Sequence, residues 1–198
     1  MHILFNAMKN VRLLIILMCS VSILSGCSVK KVRSNPYSVA DRRTADMAEI
    51  DKDVETDIKE ELRDDNEIRH FTHVNVTVYN GAVLLTGEAM NEAIKTKIIE
   101  MVRIVKNVKM VHDNLIVDYL SDNLSRASDR RITQNIKQAL KQIHDLPNFD
   151  SSLIKVVVEQ SSVYLMGRVH RDEGTVVINV IRLEPDIRQV ITVFDYID

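Results

Sequence analysis

Tryptophan is missing from this sequence altogether, and aromatic residues make up only 5% of it. Surfaces that stack nucleobases or sugars are built on such rings, so that class of ligand finds little here. Cysteine is nearly as scarce, at 2 residues, and Cys19 and Cys27 sit in or beside one apolar segment, so no disulfide framework is available. Excess positive charge is lacking too: the formal net charge is −2, which predicts no nucleic-acid partner. A spanning helix needs about 20 consecutive apolar residues, and the uncharged run from Leu13 to Leu24 falls short of that.

Catalytic constellations are equally thin. The sequence has no Gly-rich phosphate loop, and neither Ser151-Ser152 nor Ser161-Ser162 has a basic partner at a recognisable spacing. Asp64-Asp65 reads as a solvated helix end rather than a glycosidase pair. His70 and His73 are three apart in the approach to a strand, with no Cys, His or carboxylate at ligand spacing, so they read as exposed loop histidines rather than a metal site. His112, His144 and His170 are isolated. The expectation is a non-enzymatic protein without metal or cofactor.

What is present begins at the N-terminus. Lys9 and Arg12 precede the short apolar run, which ends in small residues, the layout of a cleaved signal peptide over residues 1–26. Leu24-Ser25-Gly26-Cys27 resembles the bacterial lipobox, which implies cleavage before Cys27 and attachment of diacylglycerol and a palmitoyl-type chain to it. Ser28, rather than Asp, follows the cysteine, which under the usual sorting rule implies the outer membrane. Cleavage removes Lys9 and Arg12 from the 26 basic residues and none of the 28 acidic ones, leaving a net charge of −4. Residues 27–45, with Asn35-Pro36 and few large apolar side chains, read as a lipidated N-terminus and tether.

Beyond it lies an internal repeat. "VTVYNGAVLLTG" (Val76 to Gly87) matches "VVVEQSSVYLMG" (Val156 to Gly167) at an offset of 80, the difference between Gly87 and Gly167. Each copy opens with apolar residues at four-residue spacing, Val54, Ile58 and Leu62 in the first and Ile132, Ile136 and Leu140 in the second, as an amphipathic helix requires. A hairpin follows. Val74, Val76 and Val78 alternate with polar residues up to Asn80-Gly81, a strong two-residue turn signal, which pairs Val78 with Val83 and Val76 with Leu85. The same count in the second copy pairs Val158 with Val163 and Val156 with Leu165. Second helices are expected over Asn91 to Lys106 and Asp172 to Glu184, the latter stopped by Pro185. Closing strands carry Val111, Leu115 and Val117, then Val190 to Phe194. Two helices on one face of a three-stranded sheet bury what a hairpin cannot, so the fold class is α+β, two αββαβ sandwiches in tandem over residues 46–119 and 124–198.

The stretch "VNVTVYNGAVLLTGEAMNEAIKTKIIEMVRIVKNVKMVHDNL", with its Gly-x-Val-Leu-Leu-x-Gly core, resembles the BON domain (bacterial OsmY and nodulation). Two copies behind a lipobox, with the linker "VADRRTAD", resemble the dual-BON outer-membrane lipoproteins of Gram-negative bacteria. The chain departs from the pattern at Ser161, which stands where the first copy has Gly81, so that turn must change geometry or accept strain from positive φ. Asn107 and Asp186 stand where BON domains often have glycine, and both tolerate the left-handed region.

The copies differ most in the charge of the first helix. Asp51 to Asp65 holds three basic residues against eight acidic, net −5, whereas Arg126 to Lys141 holds five basic against Asp129 alone, net +4. At about 100° per residue, Arg126, Arg130, Lys137 and Lys141 fall within about 60° of one another, apart from the apolar arc and beside Gln134. The resemblance implies that this helix of the second BON domain contacts anionic phospholipid, such as phosphatidylglycerol or cardiolipin, through Arg126, Arg130, Arg131, Gln134, Lys137 and Lys141, in a protein that faces the periplasm and maintains envelope integrity. The alternative is a periplasmic adaptor for an envelope or outer-membrane protein-assembly machine, with the acidic first domain packing on the second or docking a protein.

Overall fold

The computed structural model describes residues 41–197. Residues 1–26, expected to be a signal peptide, and Cys27 lie outside the described residues.

Helix α1 (Ala45–Asp64) starts where Thr44 Oγ1 accepts the Met47 amide at 3.2 Å, and it buries Val54, Ile58 and Leu62. Asp65 ends it and starts another, α2 (Asn66–Phe71), by accepting the Glu67 and Ile68 amides at 3.0 Å each. The repeat pattern did not call for α2, and Asp65 is an N-cap rather than a bare solvated end. Strands β1 (Thr72–Tyr79) and β2 (Ala82–Ala89) pair antiparallel in the expected register, Val78 with Val83 and Val76 with Leu85. Helix α3 (Glu92–Arg103) then crosses over to β3 (Met110–Val117), which joins β2 in parallel.

The second repeat follows the same order. Helix α4 (Asn123–Lys141) leads, through a 3-10 turn at Ser151–Leu153, to β4 (Lys155–Glu159), β5 (Ser162–Val169), α5 (Arg171–Ile181) and β6 (Gln189–Tyr196). Helix α5 stops at Ile181, short of the expected Glu184. The amides of Leu183 and Glu184 there bond three residues back, to Val180 and Ile181, tightening the end before Pro185 is reached.

Both hairpin turns take φ > 0 at each central residue, Asn80 (50°) and Gly81 (79°) in the first, Gln160 (46°) and Ser161 (60°) in the second. Ser161 therefore accepts strain rather than changing the turn. A buried helix carboxylate supports each one: Asp51 accepts the amides of Asn80 and Gly81 at 2.6 and 2.8 Å, and Asp129 those of Gln160 and Ser161 at 2.9 Å each. Such charge-assisted bonds stabilise a backbone that serine alone disfavours. Asn107 (69°) and Asp186 (65°) are left-handed, as expected. Gly87 is tighter than any turn position: at φ 116° a Cβ there would lie 1.9 Å from the His73 carbonyl oxygen.

One face of each sheet carries its own helices and core, Val54, Ile58, Val76, Leu85, Ile98 and Leu115 in the first, Ile132, Ile136, Val163, Leu165, Val177 and Ile181 in the second. The opposite faces pack on each other through Tyr79, Leu84, Tyr164 and Met166, all buried. Leu84 and Tyr164 are equivalent residues at the offset of 80, as are Tyr79 and Glu159. The two repeats thus present the same patch to one another, the pattern of an isologous contact.

Residues 41–44 correct the expected tether. Arg42 forms a fork with Glu173 at 2.5 and 2.6 Å and bonds the Arg168 carbonyl at 3.0 Å. Arg43 bridges Asp41 and Asp51 and stacks its guanidinium 4.3 Å from the centre of the Tyr79 ring. This strap ties residues 41–44, at the entry to α1, to both repeats, so these four residues are anchored rather than part of a tether. Acidic partners remote in sequence made that anchoring invisible to a reading of local composition.

Candidate functional site

Helix α4 owes its shape to the four-residue spacing of Ile132, Ile136 and Leu140, which dock on the second sheet and turn the intervening positions outward. Arg130, Arg131, Gln134, Lys137 and Lys141 are exposed along it. Asp129, its one acidic residue between Arg126 and Lys141, is turned inward to the Gln160-Ser161 turn, so the outer face carries no carboxylate of its own. Among the described residues Arg130, Lys137 and Lys141 form no ion pair, whereas Arg131 reaches Asp186 at 3.0 Å. Arg126 leaves the stripe. It is half-buried, and its guanidinium donates to the Ser121 carbonyl at 2.7 Å and Asn123 Oδ1 at 2.9 Å, on the wall of a cleft between the repeats. The angular spacing was right, but the N-terminal turn of α4 lies against the other repeat, which helical periodicity does not reveal.

That cleft, about 190 Å³, is lined by His73, Asn75, Arg126, Arg130 and Glu159 among others. Here the sequence reading of His73 needs correction. His73 is not an exposed loop residue: it lies on β1, on the face opposite Val74 and Val76, while His70 remains exposed on α2. Its Nδ1 faces Glu88 Oε2 at 3.2 Å and Glu159 Oε1 at 3.5 Å. Glu88 is fully buried and Glu159 is 6% exposed. Other groups hold both carboxylates in place: Asn75 Nδ2 donates to Glu159 Oε2 at 2.6 Å, Gln160 Nε2 to Glu88 Oε1 at 2.7 Å, and the Ser121 amide to Glu88 Oε2 at 3.2 Å. The Glu159 carboxylate raises the His73 pKa above its ordinary value; burial opposes this, Glu88 adds to it, and Arg126 works against it. Neither His73 Nδ1 nor Glu159 Oε1 has a well-aligned hydrogen bond. His73 and Glu88 are cross-strand partners, a pairing implicit in the two-residue turn. Glu159 comes from the other repeat, and no local spacing signals it.

The equivalent end of the interface is built differently. There the Arg168 amide donates to Tyr79 Oη at 3.1 Å, and Lys155 Nζ reaches the Val78 carbonyl at 2.8 Å. Burial lowers the Lys155 pKa, only partly offset by Glu55, 3.9 Å away.

The BON domain family matches residues 50–119 and again residues 128–197. The chain belongs to the BON family. Each BON match starts within the first helix of a repeat and runs through its last strand. The chain is 25% identical over 181 residues to the outer membrane lipoprotein DolP of Haemophilus influenzae, covering 91% of this chain and 89% of that one. It is 23% identical over 157 residues to a 21 kDa hemolysin of Actinobacillus pleuropneumoniae, 79% of each chain. Among solved structures, CdsD, a structural protein of the type III secretion system of Chlamydia trachomatis, aligns at 16% identity and TM-score 0.31 over 71% of this chain and 92% of that one.

Proposed function

We propose that this dual-BON protein is a lipid-anchored, non-enzymatic component of the outer membrane, facing the periplasm, that binds anionic phospholipid through the outward face of α4 and so supports envelope integrity. The observation that carries the reading is the triad Arg130, Lys137 and Lys141, which forms no ion pair among the described residues, on a helix whose own carboxylate, Asp129, is buried. Support also comes from the lipobox-like Leu24-Ser25-Gly26-Cys27 and from similarity to an outer membrane lipoprotein along most of the chain. Among the described residues no helix is long and apolar enough to cross a membrane, which fits attachment through an anchor and a surface.

A Lys or Arg near an anionic bilayer contributes about 1 kcal/mol, so the triad supplies about 3 kcal/mol, roughly a hundredfold in partitioning. Residues 28–198, made without the lipid, should sediment with vesicles containing phosphatidylglycerol or cardiolipin and ignore purely zwitterionic ones. Binding should fall as salt shortens the Debye length. Changing Arg130, Lys137 and Lys141 together to Glu should abolish it with the fold intact. Binding that ignores lipid charge, or survives the triple reversal, would favour the adaptor reading. That alternative draws on the acidic depression of the first domain, where Asp57, Glu60, Glu61 and Asp64 surround the exposed Ile104.

A further inference from the structure

We propose that His73, Glu88 and Glu159 form a site for a divalent first-row transition cation of the zinc class, which clamps the two BON domains together. The two domains meet through equivalent patches, so each position at one end has a counterpart at the other, 80 residues away. At one end Tyr79 meets Arg168, a neutral ring against a residue that carries its own cation. At the other end the equivalent residues are Glu159 and Glu88, two carboxylates buried face to face with a single imidazole between them. Two buried carboxylates demand a compensating cation.

Arg126, on the wall of the same cleft, donates instead to Ser121 and Asn123. Its charge lowers the affinity of the site without filling it. Imidazole nitrogen with carboxylate oxygen is a donor set suited to zinc.

The geometry fits the same ion. Donors at about 2.1 Å from a tetrahedral zinc stand about 3.4 Å apart, and the separations from His73 Nδ1 are 3.2 and 3.5 Å. All three donor atoms lie within 4.8 Å of one another. Glu159 Oε1, on a residue only 6% exposed, is aimed into the cluster and accepts no hydrogen bond, whereas Oε2 is held by Asn75. Gln160 holds Glu88 Oε1, and the Ser121 amide steadies Oε2, whose second lone pair is the one left for a metal, the outer support that metal ligands require. His73 and Glu159 line the cleft, from which water would supply the remaining ligand.

The test uses the full-length chain in detergent, stripped with a chelator and dialysed against Zn²⁺, with Co²⁺ as a spectroscopic probe. One equivalent should bind, the melting temperature should rise, and Co²⁺ should give the visible absorption of a tetrahedral site. His73→Ala and Glu159→Gln should each lose that equivalent. Asn75→Ala should weaken it about 10–100-fold. His70→Ala and His112→Ala, which change exposed or remote imidazoles, should retain it. Thermal melts of the metal-free variants show that each is folded, and Glu159→Gln keeps the shape of the side chain should His73→Ala fail that check. An absence of saturable binding by the unmodified chain overturns the proposal. So does an equivalent that persists in both His73→Ala and Glu159→Gln.

Discussion

Arg42→Ala should cost the protein far more than its place at the edge of a linker suggests. The guanidinium forks onto both oxygens of Glu173, a carboxylate only 3% exposed, and also bonds the Arg168 carbonyl. Truncation leaves that carboxylate buried with one bond, from the His170 amide at 2.8 Å. Removing one partner of a buried pair costs about 3–5 kcal/mol. The surviving bond and the 15% exposure of the Arg42 side chain place this case lower, at about 2–4 kcal/mol. At a urea dependence of roughly 2 kcal/mol per molar, the unfolding midpoint falls by about 1–2 M.

The pH dependence separates this pair from a merely structural contact. In the native chain burial raises the Glu173 pKa, but the Arg42 fork and the His170 amide outweigh it, so the folded value lies below the ordinary one. A carboxylate lowered on folding contributes stability above its unfolded pKa of about 4.3, and that contribution fades as pH falls through the folded value. In Arg42→Ala only burial and one amide remain, so the lowering is lost. The difference between the two proteins should therefore be largest at pH 7 and shrink below about pH 4. Glu173→Gln combined with Arg42→Ala should recover part of the loss, a coupling of about 1–3 kcal/mol. A deficit under about 1 kcal/mol at pH 7, typical of an exposed pair, or one that does not change down to pH 3, refutes the strap.

Gly87→Ala should abolish cooperative folding of the first domain in thermal melts, because its Cβ meets backbone at 1.9 Å. Gly81→Ala should cost only about 1–2 kcal/mol, since it meets the movable Lys109 side chain at 2.8 Å and strain at φ 79°. Ser161→Gly should raise the melting point slightly, worth up to about 1 kcal/mol, by relieving a positive φ that Asp129 now holds in place. Leu84→Ala, in the sheet-to-sheet contact, should cost about 2–4 kcal/mol in chemical denaturation and loosen both domains together. Mass spectrometry of the native protein should find acylated Cys27 at the mature N-terminus, and cleavage at any other bond removes the anchor from the proposed function.

The repeat, its helices and its hairpin register were legible because they rest on local periodicity. Val76 and Leu85 are neighbours for reasons contained in twelve residues, and the same turn count implies the His73–Glu88 pair. The basic face of α4 was legible for the same reason. Partners across the domain interface were not. Nothing near Arg42 announces Glu173, 131 residues away, and nothing near His73 announces Glu159. The small helix α2 escaped because it depends on one capping aspartate and one buried residue, Ile68, too little to register as a period.

Duplication explains where these unreadable features collect. A domain that stacks on its own copy meets itself through equivalent patches, and any residue near the pseudo-axis is opposed by its own counterpart. Apolar residues suit that arrangement, and Leu84 with Tyr164 keeps it. Away from the axis the two sequences have diverged: Glu88 corresponds to Arg168, Glu159 to Tyr79, and His73 to Leu153. Charge has likewise been partitioned between the outer helices, net −5 on one copy and +4 on the other. The symmetric positions carry the fold, and the asymmetric ones carry whatever distinguishes one domain from the other. That asymmetry sets the basic face of α4 on the second domain alone, and it gathers His73, Glu88 and Glu159 at only one end of the interface.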